Sequence, residues 1–397
     1  MSEFEELKGW FEKHFAPKPR AFGVIIGEGG FESMEEIFAY LDEARKHGCQ
    51  EVMMFLGLTR EMPSNLPDYG FPFLPIEAEE ATQISAKAKE LGMVPILEIW
   101  PKTFKESGAK PSDLKPYADM GLSGLRLDWG FTPSEVAEMT RNKYGLKIAI
   151  NASDSFVDMF LEETIEAKAN LEQLLGWFNL YPHIDTGHSL EYVVERAKAF
   201  KKYGLKVNAM VAGQKHKVGP LCQGLPTVEK HRYLSPARAA EELFATKVID
   251  TVFVADIASP EELEALGEVC SRYAIKLRVK LEPGVSEVER KILFEKGTIF
   301  GSPSPHINRY DLADNVVRST LFRGTKVTPH NTVERPKYSV TISNVTSLLR
   351  YSGDLHITKK DLPRDHKINV VGHVIEEDQN LVEMIGPGSW FILEEVE

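Results

Sequence analysis

Two acidic residues, Glu98 and Asp128, stand at the ends of apolar runs that have the length of buried β-strands. A tryptophan follows each acid closely, Trp100 after the first and Trp129 after the second. Two neighbouring carboxyl groups in a pocket with an aromatic side chain acquire separated pKa values, which general acid and base catalysis on a glycosidic bond requires. We therefore predict that Glu98 and Asp128 are the catalytic pair of a site that cleaves sugars.

The elements that would position these acids form a repeating pattern. Eight apolar runs of strand length alternate with segments of helical periodicity as far as about residue 275. Four helices run through a glycine into the next strand, in "KHGCQEV", "ELGMVPI", "DMGLSGL" and "KYGLKV", where the glycine would take the left-handed helix cap. Eight such units predict an α/β fold of the closed (β/α)8 or TIM-barrel type. An open doubly wound sheet is the alternative, which the lack of a GxGxxG turn after the first strand weakens.

The bounds of these elements can be stated from the sequence. The predicted strands are Ala21–Gly27, Glu51–Gly57, Met93–Ile99, Gly124–Asp128, Leu146–Asn151, Leu174–Asn179, Leu205–Met210 and Thr251–Ala255. The predicted helices are Ser33–Lys46, Ile76–Leu91, Ser134–Arg141, Phe156–Gln173, Leu190–Tyr203, Pro236–Thr246 and Pro260–Tyr273. From about Lys276 the sequence changes to short β-rich pieces with polar turns, which indicate a small β-barrel or sandwich. We predict three parts: an amphipathic helix and linker (1–19), the barrel (20–275) and a C-terminal β domain (276–397).

A polar residue ends every predicted strand. The eight residues are Glu28, Thr59, Glu98, Asp128, Asn151, Asn179, Gln214 and Asp256. The C-terminal strand ends of a TIM barrel form its active-site face, so these side chains would converge on one rim and need a ligand or ordered water. A single one is more often a helix cap or turn residue, the interpretation that we prefer for Thr59 and Asp256. We predict that Glu28, Asn151, Asn179 and Gln214 bind substrate.

Alternation along the strands adds an inward-facing arginine. Counting by twos from Asp128 places Arg126 on the same side of its strand, and the same count turns Ala149 and Trp177 inward. Arg126 would contact substrate, or it would pair with the acid inside the barrel as a structural feature. Tyr181, just after the sixth strand, is a further predicted polar partner for a sugar.

The loop after the seventh strand is long and locally basic. It reads "GQKHKVGPLCQGLPTVEKHRYLSP" and holds Lys215, His216, Lys217, Lys230, His231 and Arg232. Such a cluster in an acidic protein suits an anionic group such as phosphate, although a solvated surface loop explains it equally well. His183, His188, His216 and His231 lack the HxH or HExxH spacing of a metal site, so we predict no metal and no cofactor.

Composition limits the partners and the compartment. The 397 residues carry a formal net charge of -12, which disfavours nucleic acid or an anionic membrane as a partner. The three cysteines, Cys49, Cys222 and Cys270, form no CxxC pair, and a reducing cytoplasm is the simplest location. The start "MSEFEELKGWFEKHF" is acidic and amphipathic, unlike a signal peptide. A small-molecule carbohydrate is the predicted partner, and the oligomeric state is left open.

The motifs occur in an order similar to that of a known family. They include "LGMVPILEIWPKTF", "GLRLDWGF", "YGLKIAINASD", "NLYPH", "GLPTVEKHR", "VVRSTLFRG" and "NVVGHVIEED". From about Ala21 to its C-terminus, the chain resembles the bacterial 6-phospho-N-acetylmuramidase family of glycoside hydrolases. The resemblance implies a TIM barrel followed by a cyclophilin-like β-barrel. It also implies cytoplasmic hydrolysis of the β-1,4 bond in a 6-phosphorylated muramyl-glucosaminyl disaccharide salvaged from the cell wall.

The resemblance also assigns residues. Those that match family positions are Glu98, Asp128, Asn151, Asn179, Tyr181, Glu229, His231, Arg232 and Arg318. Glu229, His231 and Arg232 fall in a matching "EEHR"-like segment and are expected to bind substrate. Arg318 belongs to the second domain and is expected to reach over the mouth of the barrel.

Three positions depart from the family pattern. Ala149 stands where the family usually has glutamate, Phe178 where it usually has histidine, and Leu221 where it usually has tryptophan. A glutamate missing from the inward position 149 leaves three functions open. They are a glycosidase acting on a phosphorylated or otherwise anionic amino sugar, another barrel enzyme such as a lyase or isomerase on a sugar phosphate, and a non-catalytic sugar-phosphate-binding protein.

Overall fold

The computed structural model describes residue 6 and residues 20–27, 30–55, 77–219, 221–299 and 302–397. Three features predicted from sequence lie outside these residues: the N-terminal helix and linker (1–19, apart from residue 6), Glu28 and Thr59. The described chain divides into two compact units, Pro19–Ser271 and Arg272–Glu397.

The first unit contains a closed barrel of eight parallel strands that follow one another in chain order. Its strands are β1 Ala21–Ile26, β2 Glu51–Phe55, β3 Val94–Ile99, β4 Gly124–Leu127, β5 Lys147–Asn151, β6 Leu174–Trp177, β7 Lys206–Val211 and β8 Thr251–Val254. Strand β8 pairs with β1 and closes the cylinder, which confirms the predicted TIM barrel and excludes the open sheet. Continuous apolar runs produced the correct assignment because each strand is covered on both faces.

Nine helices connect or follow these strands in the described part of the unit. They are α1 Met34–Lys46, α2 Ala78–Glu90, α3 Pro101–Glu106, α4 Lys115–Asp119, α5 Pro133–Met139, α6 Val157–Glu166, α7 Leu190–Lys202, α8 Pro236–Ala245 and α9 Pro260–Arg272. The short α3 and α4 were not predicted, since one turn and a half carries no periodic face. The predicted helix Phe156–Gln173 is shorter, because Lys168 takes a left-handed conformation (φ 69°) and a separate 3-10 turn follows.

The predicted glycine hinges are confirmed. Gly48, Gly92, Gly121 and Gly204 all have φ between 71° and 91°, in the left-handed region where a side chain would be strained. Each glycine ends its helix and turns the chain directly into the next strand. The hinges lie at the N-terminal ends of the strands and leave the opposite ends of the strands for longer loops.

The barrel interior is filled by side chains that alternate along the strands. The buried cluster is Ile25, Met53, Phe55, Ile96, Ala149, Trp177, Met210, Leu225, Phe253 and Ala255. Ala149 and Trp177 face inward as the alternation predicted. In the strand register, Glu98 of β3 lies beside Arg126 of β4, and Arg126 lies beside Ala149 of β5. The charged residues Glu98 and Arg126 therefore lie at the same height along the barrel axis as the apolar Ala149.

The second unit is a nearly closed, barrel-like sheet. Its elements are β9 Ile275–Leu281, α10 Glu287–Phe294, β10 Gly297–Ile299, β11 Ser302–Ser304, β12 His306–Ile307, β13 Val316–Ser319, β14 Ser339–Ser343, β15 Leu355–Thr358, β16 Ile368–Val374, α11 Gln379–Met384 and β17 Trp390–Glu395. Seven strands pair in the order β12-β17-β9-β16-β14-β15-β13, and β10 pairs with β11. The β-rich texture was predicted, but β9 and the helices α10 and α11 were not. The likeness to cyclophilins stays a prediction.

None of the helices in the described ranges has the length and apolar character needed to cross a bilayer.

A close helix contact on the outside of the barrel yields a stability prediction. Gly267 lies inside α9, and a Cβ at this position would come within 2.3 Å of the backbone oxygen of His47, just after α1. Helix propensity alone would make Gly267→Ala stabilising by about 1 kcal/mol. We expect the clash with a backbone atom to reverse the sign, so that chemical denaturation shows a loss of about 1–3 kcal/mol in the free energy of unfolding.

The matched control is Ser271→Ala, which creates an alanine at an exposed position of the same helix. This control should change the free energy of unfolding by less than about 0.5 kcal/mol. A Gly267→Ala protein as stable as the wild type would show that the segment after α1 can move away from α9.

Candidate active site

A buried arginine organises the polar end of the barrel interior. Arg126 Nη1 lies 2.8 Å from Glu98 Oε2 and 3.7 Å from Asp128 Oδ1. Arg126 Nη2 donates to the side-chain oxygen of Asn179. Three of the residues predicted from sequence therefore meet around the guanidinium group of a fourth, as their positions at the ends of β3, β4 and β6 suggested.

The two predicted catalytic acids have different surroundings. The side chain of Glu98 is 7% exposed and belongs to the buried ion pair with Arg126, whereas that of Asp128 is 32% exposed. The indole N–H of Trp100 donates to Asp128 Oδ2. Asp128 is thus oriented on one side by Trp100 and on the other by Arg126, while part of its surface faces solvent. The structure brings both acids together but leaves only Asp128 accessible to a ligand.

Asp128 opens into a cleft of about 290 Å³. Its lining residues are Leu127, Asp128, Trp129, Gly130, Phe131, Val136, Ile150, Asn151, Asp154, Phe156, Val157 and Phe160. Most of the wall is apolar, and the polar groups come from Asp128, Asn151 and Asp154. Trp129 is 73% exposed and Phe156 is 44% exposed, so two aromatic faces at this cleft are accessible. Aromatic walls with a few convergent polar groups are typical of a small-molecule site.

Asp154 is a site residue that the strand-end analysis missed. It lies in the loop between β5 and α6, and Asn151 Nδ2 donates to its Oδ2 at 3.3 Å. Burial raises the pKa of Asp154, the negative charge of Asp128 raises it further, and Arg126 acts in the opposite direction. At β5, only the residue that ends the strand was predicted to belong to the site, and Asp154 follows Asn151 by three positions. The "NASD" turn was the available signal, because it folds the fourth residue back toward the strand end.

Asn179 is fixed by its backbone as well as its side chain. Its N–H donates to Ser153 Oγ at 2.8 Å, and its carbonyl accepts from Thr227 Oγ1 at 2.8 Å. The loops after β5, β6 and β7 are thereby tied together around the side chain that accepts from Arg126. This arrangement limits the motion of Arg126 and its two acids.

Tyr181 lies in an aromatic group near the same loops. Its hydroxyl is 2.7 Å from His188 Nε2, and the two rings meet edge to face. Burial raises the pKa of Tyr181 and lowers the pKa of His188, so both side chains are neutral at pH 7. Phe178, at the position where the family usually has histidine, contacts the His188 ring edge to face.

The "EEHR"-like segment is used inside the protein. Arg232 is fully buried, and all five of its N–H groups are satisfied by Glu229 and by the carbonyl oxygens of Tyr181, His183 and Gly224. Glu229 also accepts from the backbone N–H groups of Asp185 and Gly187. The Arg232 side chain is the main cause that lowers the pKa of Glu229 to about 2. We interpret Glu229 and Arg232 as residues that shape the loops after β6 and β7 rather than groups that contact a ligand.

His231 and Gln214 have similar internal roles. His231 is fully buried, lies 3.0 Å from Glu242 Oε2, and has a pKa that burial lowers. Gln214 Nε2 donates to the carbonyl oxygens of Ala212 and Arg232. The predicted basic cluster is therefore not one surface, because its Arg232 and His231 point inward.

Asp256 fixes the long loop after β7 through hydrogen bonds to its backbone. It is fully buried and accepts from the backbone N–H groups of Val218 at 3.0 Å and Leu225 at 3.3 Å. Burial raises its pKa to about 6. This agrees with the preferred interpretation of Asp256 as a residue that fixes a loop.

Arg318 belongs to the second unit. Its Nη2 lies 3.3 Å from Asp354 Oδ2, and the same carboxylate binds Arg323 through both oxygens. Its predicted role in substrate binding stays a prediction. Across the described ranges, no group of three or more His, Cys, Asp or Glu side chains is arranged to hold a metal ion.

The closed barrel makes this a TIM-barrel protein, and its carboxylates lie at the C-terminal strand ends, where such barrels carry their sites. Residues 29–268 match the family model described as 6-phospho-N-acetylmuramidase, N-terminal, and residues 275–394 match 6-phospho-N-acetylmuramidase, C-terminal. The chain belongs to the 6-phospho-N-acetylmuramidase family, which confirms the resemblance seen in the sequence. No curated protein matches the chain significantly.

Two solved structures are similar over nearly the whole chain. An uncharacterised protein of B. cereus is 31% identical, covers 95% of this chain and 100% of its own, and superimposes with a TM-score of 0.77. A conserved protein of unknown function from Enterococcus faecalis is 27% identical, covers 94% of this chain and 96% of its own, and has a TM-score of 0.64. Both units of this chain are thus shared with these relatives.

The contacts of Glu229 yield a prediction for stability. Glu229→Gln removes the only carboxylate bound to the fully buried Arg232 among the described residues. Because a buried charge then lacks its partner, we expect a loss of about 3 kcal/mol in the free energy of unfolding at pH 7, measured by chemical denaturation. Glu162→Gln is the matched control, since Glu162 and Lys202 form a surface pair with both side chains more than half exposed.

The same substitution has a predicted pH dependence. Glu229 has a pKa near 2 in the folded protein and near ~4.3 when unfolded, so its stabilising effect is complete above pH ~5. The effect is lost as the pH falls through ~4 toward 2, and the difference between wild type and Glu229→Gln should shrink in that range. A difference that stays constant down to pH 3 would contradict the assigned ion pair.

Proposed function

We propose that this protein hydrolyses the β-1,4 glycosidic bond of a 6-phosphorylated N-acetylmuramyl-N-acetylglucosamine disaccharide, in the cytoplasm, during salvage of cell-wall sugars. The family supports hydrolysis of a phosphorylated muramic sugar in general terms. The observation that carries the proposal is Asp128, a carboxylate held by Trp100 and Arg126 that opens into an aromatic-lined cleft.

The chemistry follows from the charges around Asp128. Cleavage of a glycosidic bond passes through a positively charged, oxocarbenium-like transition state. A carboxylate in a partly buried cleft stabilises this charge strongly, because the local dielectric is lower than that of water. Glu98 lies out of reach behind Arg126 and neutralises its charge, so that Arg126 orients Asp128 without cancelling it. We propose Asp128 as a catalytic residue and Glu98 as a residue that acts through Arg126.

The cleft also offers contacts for a sugar. The exposed rings of Trp129 and Phe156 can stack on the apolar face of a pyranose, and Asn151 supplies hydrogen bonds. Arg232 and His231 are engaged inside the long loop, so we do not assign the phosphate or the lactyl carboxylate of the substrate to them.

A second candidate is a sugar-phosphate-binding protein without catalysis. The observation that favours it is Ala149, which lies next to Arg126 in the strand register. The Nε of the buried Arg126 has no hydrogen-bond partner in the described part of the chain. The glutamate usual at this position in the family would supply a further carboxylate beside Arg126.

The test is release of p-nitrophenol from β-glycosides of N-acetylmuramic acid, N-acetylglucosamine and glucose, each with and without a 6-phosphate. We expect turnover of the 6-phosphorylated N-acetylmuramic acid glycoside and a loss of at least ~10³-fold in kcat for Asp128→Asn, since the transition-state charge is left unbalanced. Asp158→Asn is the control, because Asp158 lies at the start of α6 but pairs with Arg196 at the surface.

Two results would overturn parts of the proposal. Turnover of an unphosphorylated glycoside at the same kcat/KM would remove the phosphate from the substrate. Tight binding of the phosphorylated glycoside without turnover would favour the second candidate.

A further inference from the structure

We propose that Asp154 is the acid that protonates the departing sugar oxygen and that it forms the catalytic pair with Asp128 in place of Glu98. The proposal rests on the proposed function and deepens it by assigning the two carboxyl groups of the reaction. Its basis is the cleft: among the described residues that line it, Asp128 and Asp154 are the two that carry carboxyl groups.

Glu98 is poorly placed for direct contact with a substrate. It is 7% exposed, lies 2.8 Å from Arg126 and does not line the cleft. A buried carboxylate held in an ion pair would have to leave its cation before it could take part in proton transfer, and breaking such a pair costs several kcal/mol. Asp154 needs no such rearrangement, since its side chain already lies at the cleft.

The loop that carries Asp154 is fixed from three directions. Ser153 N–H donates to Asn151 Oδ1 at 2.8 Å, and Ser153 Oγ accepts from Asn179 N–H at 2.8 Å. The hydroxyl of Tyr192, in α7, donates to Ser153 O at 3.0 Å. Three neighbouring segments therefore hold the residue directly before Asp154, so that the carboxyl group is positioned by the fold before substrate arrives.

The two carboxyl groups of the cleft have opposite electrostatic surroundings. Arg126 and the indole N–H of Trp100 both stabilise a negative charge on Asp128. Asp154 accepts one amide hydrogen bond from Asn151, and its burial and the nearby charge of Asp128 raise its pKa. The two carboxyl groups of the cleft thus have different partners, and glycoside hydrolysis uses a pair of carboxyl groups whose surroundings differ in this way.

The step balances with water as the second reactant. Asp154 gives its proton to the glycosidic oxygen, and the electron pair of the C1–O bond stays with that oxygen as the bond breaks. Asp128 stabilises the positive charge at C1, either by attacking it or by taking a proton from the attacking water. In both courses the hydroxyl of one water molecule ends on C1, and its remaining proton returns the carboxyl pair to its starting state.

The experiment compares two leaving groups. The substrates are the disaccharide 6-phospho-N-acetylmuramyl-N-acetylglucosamine and the 2,4-dinitrophenyl β-glycoside of 6-phospho-N-acetylmuramic acid. We expect Asp154→Asn to lower kcat/KM at least ~100-fold on the disaccharide, whose leaving oxygen needs a proton. The same variant should lose less than ~10-fold on the dinitrophenyl glycoside, because dinitrophenolate departs without a proton.

The pH profile supplies a second readout. The charged and titratable groups that act on Asp154 are Asp128, Arg126 and Tyr181. The wild-type kcat/KM on the disaccharide should fall at high pH as Asp154 ionises, and this limb should be absent in Asp154→Asn and present in Asp154→Glu. Burial raises the pKa of Tyr181 above its ordinary value, so Tyr181 stays neutral between pH 4 and 8 and does not produce the limb.

Two controls separate chemistry from structure. Asp158→Asn changes the same residue type four positions further along and should retain wild-type rates on both substrates. Glu98→Gln should lose kcat/KM equally on both substrates, because it disturbs Arg126 rather than proton donation.

The outcomes are distinguishable from failure of the proposed function. If Asp154→Asn loses both activities equally, or retains the disaccharide activity, the assignment of Asp154 is wrong while the protein remains a hydrolase. If Glu98→Gln instead shows the leaving-group dependence, Glu98 is the acid. If the wild type cleaves neither substrate, the proposed function falls and this inference falls with it.

Discussion

The structure of the site depends on one constraint, the burial of the Arg126 guanidinium in the barrel interior. A charge removed from water must be compensated by partners in fixed positions, because an unpaired buried cation is very costly. The side chain of Arg126 is 4% exposed, and its compensation comes from Glu98, Asp128 and Asn179, which end three different strands. The same contacts that make burial tolerable therefore also fix the geometry of the acids at the C-terminal rim.

Arg126 and Arg232 differ in how many of their N–H groups have hydrogen-bond partners. All five N–H groups of Arg232 are satisfied by Glu229 and backbone carbonyls, which makes it a closed unit that supports two loops. Arg126 keeps an unpartnered Nε among the described residues, and one of its acids is partly open to solvent. Both arginines looked like candidate ligand-binding groups in the sequence. The number and kind of their partners distinguish the two side chains in the structure.

Much of the fold could be predicted from residue patterns, and the parts that could not have physical causes. The barrel strands were recoverable because buried parallel strands read as continuous apolar runs, and the glycine hinges marked where each helix ends. Strand β9 was missed although Ile275, Leu277 and Val279 alternate with charged residues, because it follows the barrel without a marked break. In the site, alternation placed Arg126 on the same side of its strand as Asp128, and the two side chains lie 3.7 Å apart. Asp154 was missed because the turn that directs it to the cleft depends on hydrogen bonds beyond the strand.

The charged groups at the rim are unequal in number. One cation, Arg126, faces three carboxyl groups, Glu98, Asp128 and Asp154, in surroundings of reduced dielectric. Glu98 and Asp128 contact the cation directly, whereas Asp154 is bound by the amide of Asn151. Burial and the negative charge of Asp128 raise the pKa of Asp154, which is the effect of a like charge near a carboxyl group that lacks a cation in direct contact. An acid at position 149 would add a further carboxyl group beside Arg126 in the strand register, and the alanine found there adds none.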